Sequence, residues 1–205
     1  MSEILCKEEL EKLRDLEEKM RSSLKESRFR HTVSVAQTAA ALAMVNDISL
    51  YQALTAGMLH DCAKCYKDRE LLEKCKKKGI EISLTEEQNP SLLHAKYGAY
   101  LAEHRYGIKD PEVLSAIRCH TTGKPAMSTL DKIIFIADYI EPYRIHTEML
   151  PYIRKLSFEN LDKGLVFILK RTLEYLETTD QPLDEMTEKT YEYYSALDTE
   201  EAPRI

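Results

Sequence analysis

The sequence predicts an all-α fold, a single-domain helical bundle, from three observations. Glycine and proline number only 6 and 7 among 205 residues, roughly half their usual share and too few for the corners of a sandwich or barrel. Apolar residues recur at helical spacing along nearly the whole chain. Capping residues stand before several of these periodic stretches. A chain of this length buries about 70% of its unfolded surface, so it needs no staple to fold.

The elements follow in order. Leu10, Leu13, Leu16, Met20 and Leu24 make one stripe of a helix over 7–26. A second, alanine-rich helix covers about 30–45, with Val35, Ala39 and Leu42 inward. Asp47 or Ser49 caps a third that runs to His60, and Asp68 caps a short fourth ending before Gly79. Residues 79–90 read as a loop, in which Thr85 and Gln88 have capping-box spacing. Asn89-Pro90 opens a helix to about 105, and Asp110-Pro111 opens another to His120, stopped by Gly123. Ser128 with Asp131 begins a helix through Ile140. Phe158, Leu161, Leu165, Ile168, Leu169 and Leu176 form the stripe of one long late helix, and a last helix spans 184–196.

Composition narrows the function. A net charge of −6 argues against a general nucleic-acid binder, which presents a basic face. It leaves room for a small anionic substrate met by a local cluster of Lys and Arg. No run approaches about 18 apolar residues, so no membrane span is expected. The acidic start, MSEILCKEELEKLRD, lacks the apolar core of a signal peptide, and the expected location is the cytoplasm. Cys6, Cys62, Cys65, Cys75 and Cys119 are odd in number and read as reduced thiols. Cys62 and Cys65 have no partner motif and read as structural thiols, and the run Lys74, Lys76, Lys77, Lys78 reads as a solvated face. The glycines are too far apart for a dinucleotide fingerprint or a P-loop, and no G-x-S-x-G elbow is present.

The histidines carry the chemistry. His31, His60, His94 and His120 sit among apolar or small residues at helix positions, Asp61 follows His60, and Asp138 lies in the oily segment IIFIADYIEP. One such histidine is ordinarily a hydrogen-bonded core residue. Several together, with a carboxylate that is costly to bury unpaired, are another matter. No Lys or Arg falls on those stripes, so one bound cation, or two, would satisfy them together. Imidazole and carboxylate suit iron, manganese or zinc without thiolates. His60 and Asp61 point about 100° apart around a helix, and a metal beside the helix end can still take both.

Five motifs extend the pattern: R-x-x-H-T-V at 28–33, H-D-x-A-K at 60–64, N-P-x-L-x-H-A-x-x-G-A-Y at 89–100, H-T-x-G at 120–123 and A-D-Y-I-E-P-x-R at 137–144. In this order they resemble the YqeK family, the HD-type symmetrical bis(5′-nucleosyl)-tetraphosphatases of bacteria, within the HD phosphohydrolase superfamily. The likeness spans about residues 22–180. Lys96 departs from it, standing where the family pattern has proline. The resemblance implies an HD-type helical domain over 27–196, preceded by an N-terminal helix (1–26) packed on it and followed by a frayed tail (197–205). It implies hydrolysis of diadenosine tetraphosphate to two ADP, with iron as cofactor.

On this resemblance His31, His60, Asp61 and Asp138 form the primary metal shell. Asp61 is placed to bridge a second ion held by His94 and His120. With a single ion, His94 and His120 would instead face the phosphates as donors or general acid. Asp61, His94 and His120 are therefore the catalytic candidates. Arg28, Lys64 and Arg144 are candidate phosphate clamps or else solvated charges, and Thr121 and Thr122 either donate to a phosphate or cap a helix. Three rival readings stand beside this one: the same site acting on a different nucleotide, a non-catalytic metal- and nucleotide-binding regulatory module, and a structural bundle with core histidines. A homodimer through the late helices is a further expectation.

Overall fold

A computed structural model describes residues 5–179 and 183–200. Its elements are α1 (Lys7–Ser23), α2 (Glu26–Val45), α3 (Leu50–Leu59), α4 (Asp68–Lys78), α5 (Leu84–Gln88), a 3-10 turn at Pro90–Leu92, α6 (Leu93–His104), α7 (Pro111–Cys119), α8 (Thr129–Ile140), α9 (Leu150–Glu159), α10 (Leu161–Glu177) and α11 (Glu185–Glu200). Among the described residues there is no strand, as expected for an all-α chain.

The centre of the bundle is α2, α3, α7 and α8. Helix α8 packs on α2, α3 and α7, and α7 also packs on α6. Ile133, Ile134, Ile136 and Ile140 of α8 are fully buried, each worth about 1.5–3 kcal/mol of apolar burial. That burial fixes the helix on which Asp138 sits. The Ser128–Asp131 capping box starts α8 as its spacing foretells. Gly57 sets the closest approach of α3 to α2, because a Cβ there would meet Ala36 Cα at 2.6 Å. Any larger residue would move the end of α3, and with it His60, away from His31. Helix α1 covers α2 and α3 through the buried Leu16 and Met20.

Four expectations need correction. Residues 79–90 are not all loop: they contain α5, and its capping box is Ser83 with Glu86, not Thr85 with Gln88. Thr85 lies inside the helix instead. Asp68 is the first residue of α4, behind an extended Lys67. The late helix is two, since Asn160 takes an extended conformation and its side chain accepts from Lys163 N to start α10 afresh. Phe158 therefore leaves the stripe and is 38% exposed. The last helix continues past 196 to Glu200, because Thr187, Thr190 and Tyr194 seat it on the core, with Tyr194 Oη accepting from Met127 N at 2.6 Å. Of the tail expected to fray, 197–200 is thus helical and 201–205 lies outside the described residues.

Lys96 has its own use. Its ammonium donates to Glu86 Oε2 at 2.7 Å and to Glu81 O at 3.1 Å, tying α6 to the segment that carries α5.

Candidate metal centre

Five helix ends bring the site together. His31 lies in the first turns of α2, His60 and Asp61 follow α3, His94 opens α6, His120 follows α7, and Asp138 lies in the last turn of α8. All but Asp138 are buried, and the Asp138 side chain keeps 24% of its surface exposed.

Asp61 is the hub. Its Oδ2 lies 3.8 Å from His31 Nε2 and 3.6 Å from His60 Nε2. Its Oδ1 lies 3.4 Å from His94 Nε2 and 3.8 Å from His120 Nε2. Asp138 Oδ1 closes the first side, 3.0 Å from His31 Nε2 and 3.9 Å from His60 Nε2. Each oxygen of one carboxylate thus faces its own pair of imidazoles.

The other ring nitrogens explain why the four Nε2 atoms converge. His60 Nδ1 bonds Gly57 O at 2.7 Å, His94 Nδ1 bonds Ser91 O at 2.5 Å, and His120 Nδ1 bonds Ile117 O at 2.8 Å. A carbonyl only accepts, so each Nδ1 carries a proton and each ring turns its Nε2 inward. Three of the four histidines are oriented by the carbonyl three residues earlier, a contact that a helix end provides without any further residue. His31 Nδ1 lies 3.1 Å from Glu141 Oε1, the carboxylate support common behind metal-binding imidazoles.

Charge states agree with this. Burial pushes His60 down to about 4 and His94 down to about 3, outweighing the nearby carboxylates, so both are neutral at pH 7. Burial opposes charge on His31 too, but the hydrogen bonds and charge of Asp138 and Glu141 win and its pKa is raised. Burial would raise the carboxylates, yet the imidazoles of His60, His94 and His120 hold Asp61 well below the usual range. The His31 hydrogen bond, His60 and Arg144 do the same for Asp138.

The donor set fits a metal. Ligand atoms of His31, His60 and Asp138 lie within 4.8 Å of one another, as do those of His60, Asp61 and His120. His94 Nε2 and His120 Nε2 are 3.1 Å apart, and His31 Nε2 and His60 Nε2 are 3.4 Å apart. Two imidazole lone pairs at that distance would repel, and a proton or a metal ion between or beside them removes the repulsion. Nitrogen and carboxylate oxygen, without thiolate, suit iron, manganese or zinc. Cys62 takes no part, because its thiol turns to Gly98 O.

Two arginines expected only as phosphate clamps or solvated charges partner the carboxylates. Arg28, one turn before His31, donates from Nη1 to Asp61 Oδ2 at 2.7 Å. Arg144 folds back from beyond α8 and donates to Asp138 Oδ1 at 2.6 Å and Asp138 O at 2.9 Å. Arg28 falls on the His31–Val35 face of α2, which begins at Glu26 and not near residue 30, while Arg144 lies beyond α8, where helical spacing has no reach. Lys64 is half-buried near Asp61, and burial lowers its pKa. Thr121 Oγ1 is 3.2 Å from both His94 Nε2 and His120 Nε2. Thr122 is not brought to the cluster: its hydroxyl donates to Gly123 O, and its carbonyl accepts from Thr190 Oγ1 in α11.

Two residues were missed. Glu141 was quoted only as part of a motif, although it is 2% exposed and supports His31 while also accepting from Tyr143 N. An acid just before proline at a helix end, three residues after Asp138, was the available signal. Arg154 donates to Ile140 O, Glu141 O and Arg144 O, holding the turn that carries Arg144. Nothing local in the sequence marks it.

Fold and site define the class first: a helical protein whose buried His/Asp cluster has the makings of a metal centre, with arginines at its edge. The chain belongs to the HD domain family, whose model matches residues 28–143. Among its relatives is the symmetrical bis(5′-nucleosyl)-tetraphosphatase of Bacillus subtilis, 36% identical over 174 residues, which are 85% of this chain and 92% of that protein. The protein of the same name from Staphylococcus aureus is 35% identical over 180 residues, 87% of this chain and 92% of that one. A crystal structure of a predicted HD superfamily hydrolase from Clostridium acetobutylicum superposes with a TM-score of 0.86 at 35% identity, covering 89% of this chain and 96% of that one.

Proposed function

We propose that this protein is a metal-dependent symmetrical bis(5′-nucleosyl)-tetraphosphatase, which hydrolyses diadenosine tetraphosphate and similar dinucleoside tetraphosphates to two ADP. Its relatives carry that name. The observation that carries the reading is the Asp61 carboxylate facing a pair of imidazoles with each oxygen. Iron is the proposed metal; His31, His60, Asp61 and Asp138 would hold it, and His94 and His120 would be ligands for a second ion. Such an ion lowers the pKa of water from 15.7 to roughly 7 and neutralises charge on the phosphoryl oxygens.

The protein's own groups account for the rest. Water adds to one of the two central phosphorus atoms, the bridging oxygen leaves with the other half, and each product is an ADP. Arg28 and Arg144 stand beside the two carboxylates and are placed to take phosphate oxygens. Lys64 adds a third positive charge near Asp61. His94 and His120 donate from Nδ1 to backbone carbonyls and so turn Nε2 to the centre. That favours ligand or proton acceptor over general acid. Thr121 is placed to donate to a phosphate from the same side.

No helix among the described residues is long and apolar enough to cross a membrane, and we place the enzyme in the cytoplasm. The exposed Tyr152, Phe158 and Tyr175 of α9 and α10 are the surface on which the expected homodimer would form.

Product identity tests the reading. The iron-loaded protein is incubated with diadenosine tetraphosphate and the nucleotides are resolved. ADP alone is expected. ATP with AMP would mean an asymmetric cut and would overturn the assignment.

A further inference from the structure

A cavity of about 440 Å³ opens beside His31, lined by Ser27, Arg28, Arg30, His31, Tyr143 and Arg144 and by one carboxylate, Glu141, which is engaged by His31 and Tyr143 N. Small-molecule pockets span about 300–1,000 Å³, and this one falls within that range. Its three guanidiniums are not alike. Arg28 and Arg144 are bonded to Asp61 and Asp138. Arg30 has no carboxylate partner among the described residues, and its guanidinium carbon lies 4.9 Å from the centroid of the Tyr143 ring.

Tyr143 is a large aromatic left 63% exposed on a turn that is firmly held. Its backbone N donates to Glu141 Oε2 at 2.7 Å, and Arg144 N donates to Glu141 O at 3.0 Å. Arg154 bonds the carbonyls on either side of it. An exposed ring on a fixed turn loses little freedom when something stacks on it. The next residue, Arg144, reaches the metal cluster itself.

We propose that Tyr143, paired with Arg30, is the platform for one nucleobase of the substrate, while the adjoining phosphates run past Arg28 and Arg144 toward Asp61. The inference rests on the dinucleotide reading above and extends it to two residues outside the recognised motif positions. Every base offers a π face to a ring or a guanidinium, so the platform recognises a nucleoside without needing contacts to the base edge. It also acts as a ruler. A base fixed at one distance from Asp61 sets how many phosphates separate it from the bond presented for hydrolysis.

Calorimetric titration of the metal-loaded protein with ADP and with inorganic pyrophosphate separates the base from the phosphates. Tyr143→Leu is expected to raise the Kd for ADP about tenfold, the scale of one lost base stack, and to leave the Kd for pyrophosphate within about twofold. Tyr143→Phe is expected to restore parental ADP binding. The side chain is exposed, so all three proteins should melt alike. An ADP Kd unchanged in Tyr143→Leu, or an equal loss for both ligands, would overturn the platform. So would a parent that binds ADP no more tightly than pyrophosphate. Failure of the functional reading shows separately, as no ADP formed from diadenosine tetraphosphate by the parent protein.

Discussion

On one flank of the Asp61 carboxylate stand His31, His60 and Asp138, with Arg28 and Arg144 bonded to the two acids. On the other stand His94 and His120, their Nε2 atoms 3.1 Å apart and the Thr121 hydroxyl 3.2 Å from each. The first flank has positive charge of its own and opens toward the basic cavity. The second has two imidazoles, no arginine, and a hydroxyl that can give its single proton to only one of them at a time. The arrangement of the first flank can therefore persist without an ion, while the second gains more from one. Bound cations are often the largest local charges in such sites, and here their effect should be uneven across a single carboxylate.

Removing the shared group should have the largest effect. Asp61→Ala strips both flanks of a ligand, and turnover is expected to fall about a thousandfold or more, on the scale of a lost buried electrostatic contribution. Circular dichroism should show the helices intact. Activity within tenfold of the parent would separate the cluster from the chemistry. His94→Ala touches only the second flank. It should cost about a hundredfold in turnover and lower the iron content without abolishing it, as read by metal analysis. Equal iron in parent and variant would place His94 outside the ligand set.

Glu141→Gln probes the support behind His31. Loss of such a partner typically costs about 10–100-fold in metal affinity or activity, and the loss should fall on the first flank. Competition with a chelator would measure it.

Acid should then separate the histidines by the sign of their effect on stability, within the first flank as well as across Asp61. His60 and His94 titrate at about 4 and about 3 in the folded protein, below the roughly 6.5 of an unfolded histidine. Between these values the unfolded chain binds more protons, so stability falls as pH drops below about 6.5, by up to about 1.4 kcal/mol per pH unit for each ring. His31 is raised and acts in the opposite sense. Its contribution is complete below about 6.5 and is lost only as pH rises through its folded pKa. Melting curves of metal-free protein from pH 6.5 to 4.5 should decline steeply, and less so in His94→Ala. Thr121→Val should have the smallest effect, about two- to twelvefold on turnover, because it removes one neutral hydrogen bond worth roughly 0.5–1.5 kcal/mol.

Much of this arrangement is legible in the sequence, and the limits are physical. Helical spacing, the Ser128–Asp131 box and Asp110-Pro111 placed the helices that carry His120 and Asp138. The His and Asp candidates stood out because polar groups interrupted apolar stripes. Asn160 broke a stripe whose apolar spacing continued through it, so two helices read as one. Arg28 and Arg144 were named as phosphate clamps, yet their bonds to Asp61 and Asp138 come from the tertiary approach of α2, α3 and the turn after α8. Periodicity within one helix carries no record of that. The Nδ1 bonds to Gly57, Ser91 and Ile117 use backbone carbonyls, which no residue type announces. Arg30 and Tyr143 escaped notice because an exposed arginine and an exposed tyrosine are individually ordinary.

The most direct test is the iron held by the protein after anaerobic loading and gel filtration, measured by elemental analysis in the parent and in Asp61→Ala. The parent should retain one to two equivalents and the variant almost none, with both equally helical. A parent that emerges without iron, or a variant that keeps as much as the parent, would contradict a metal centre built around Asp61.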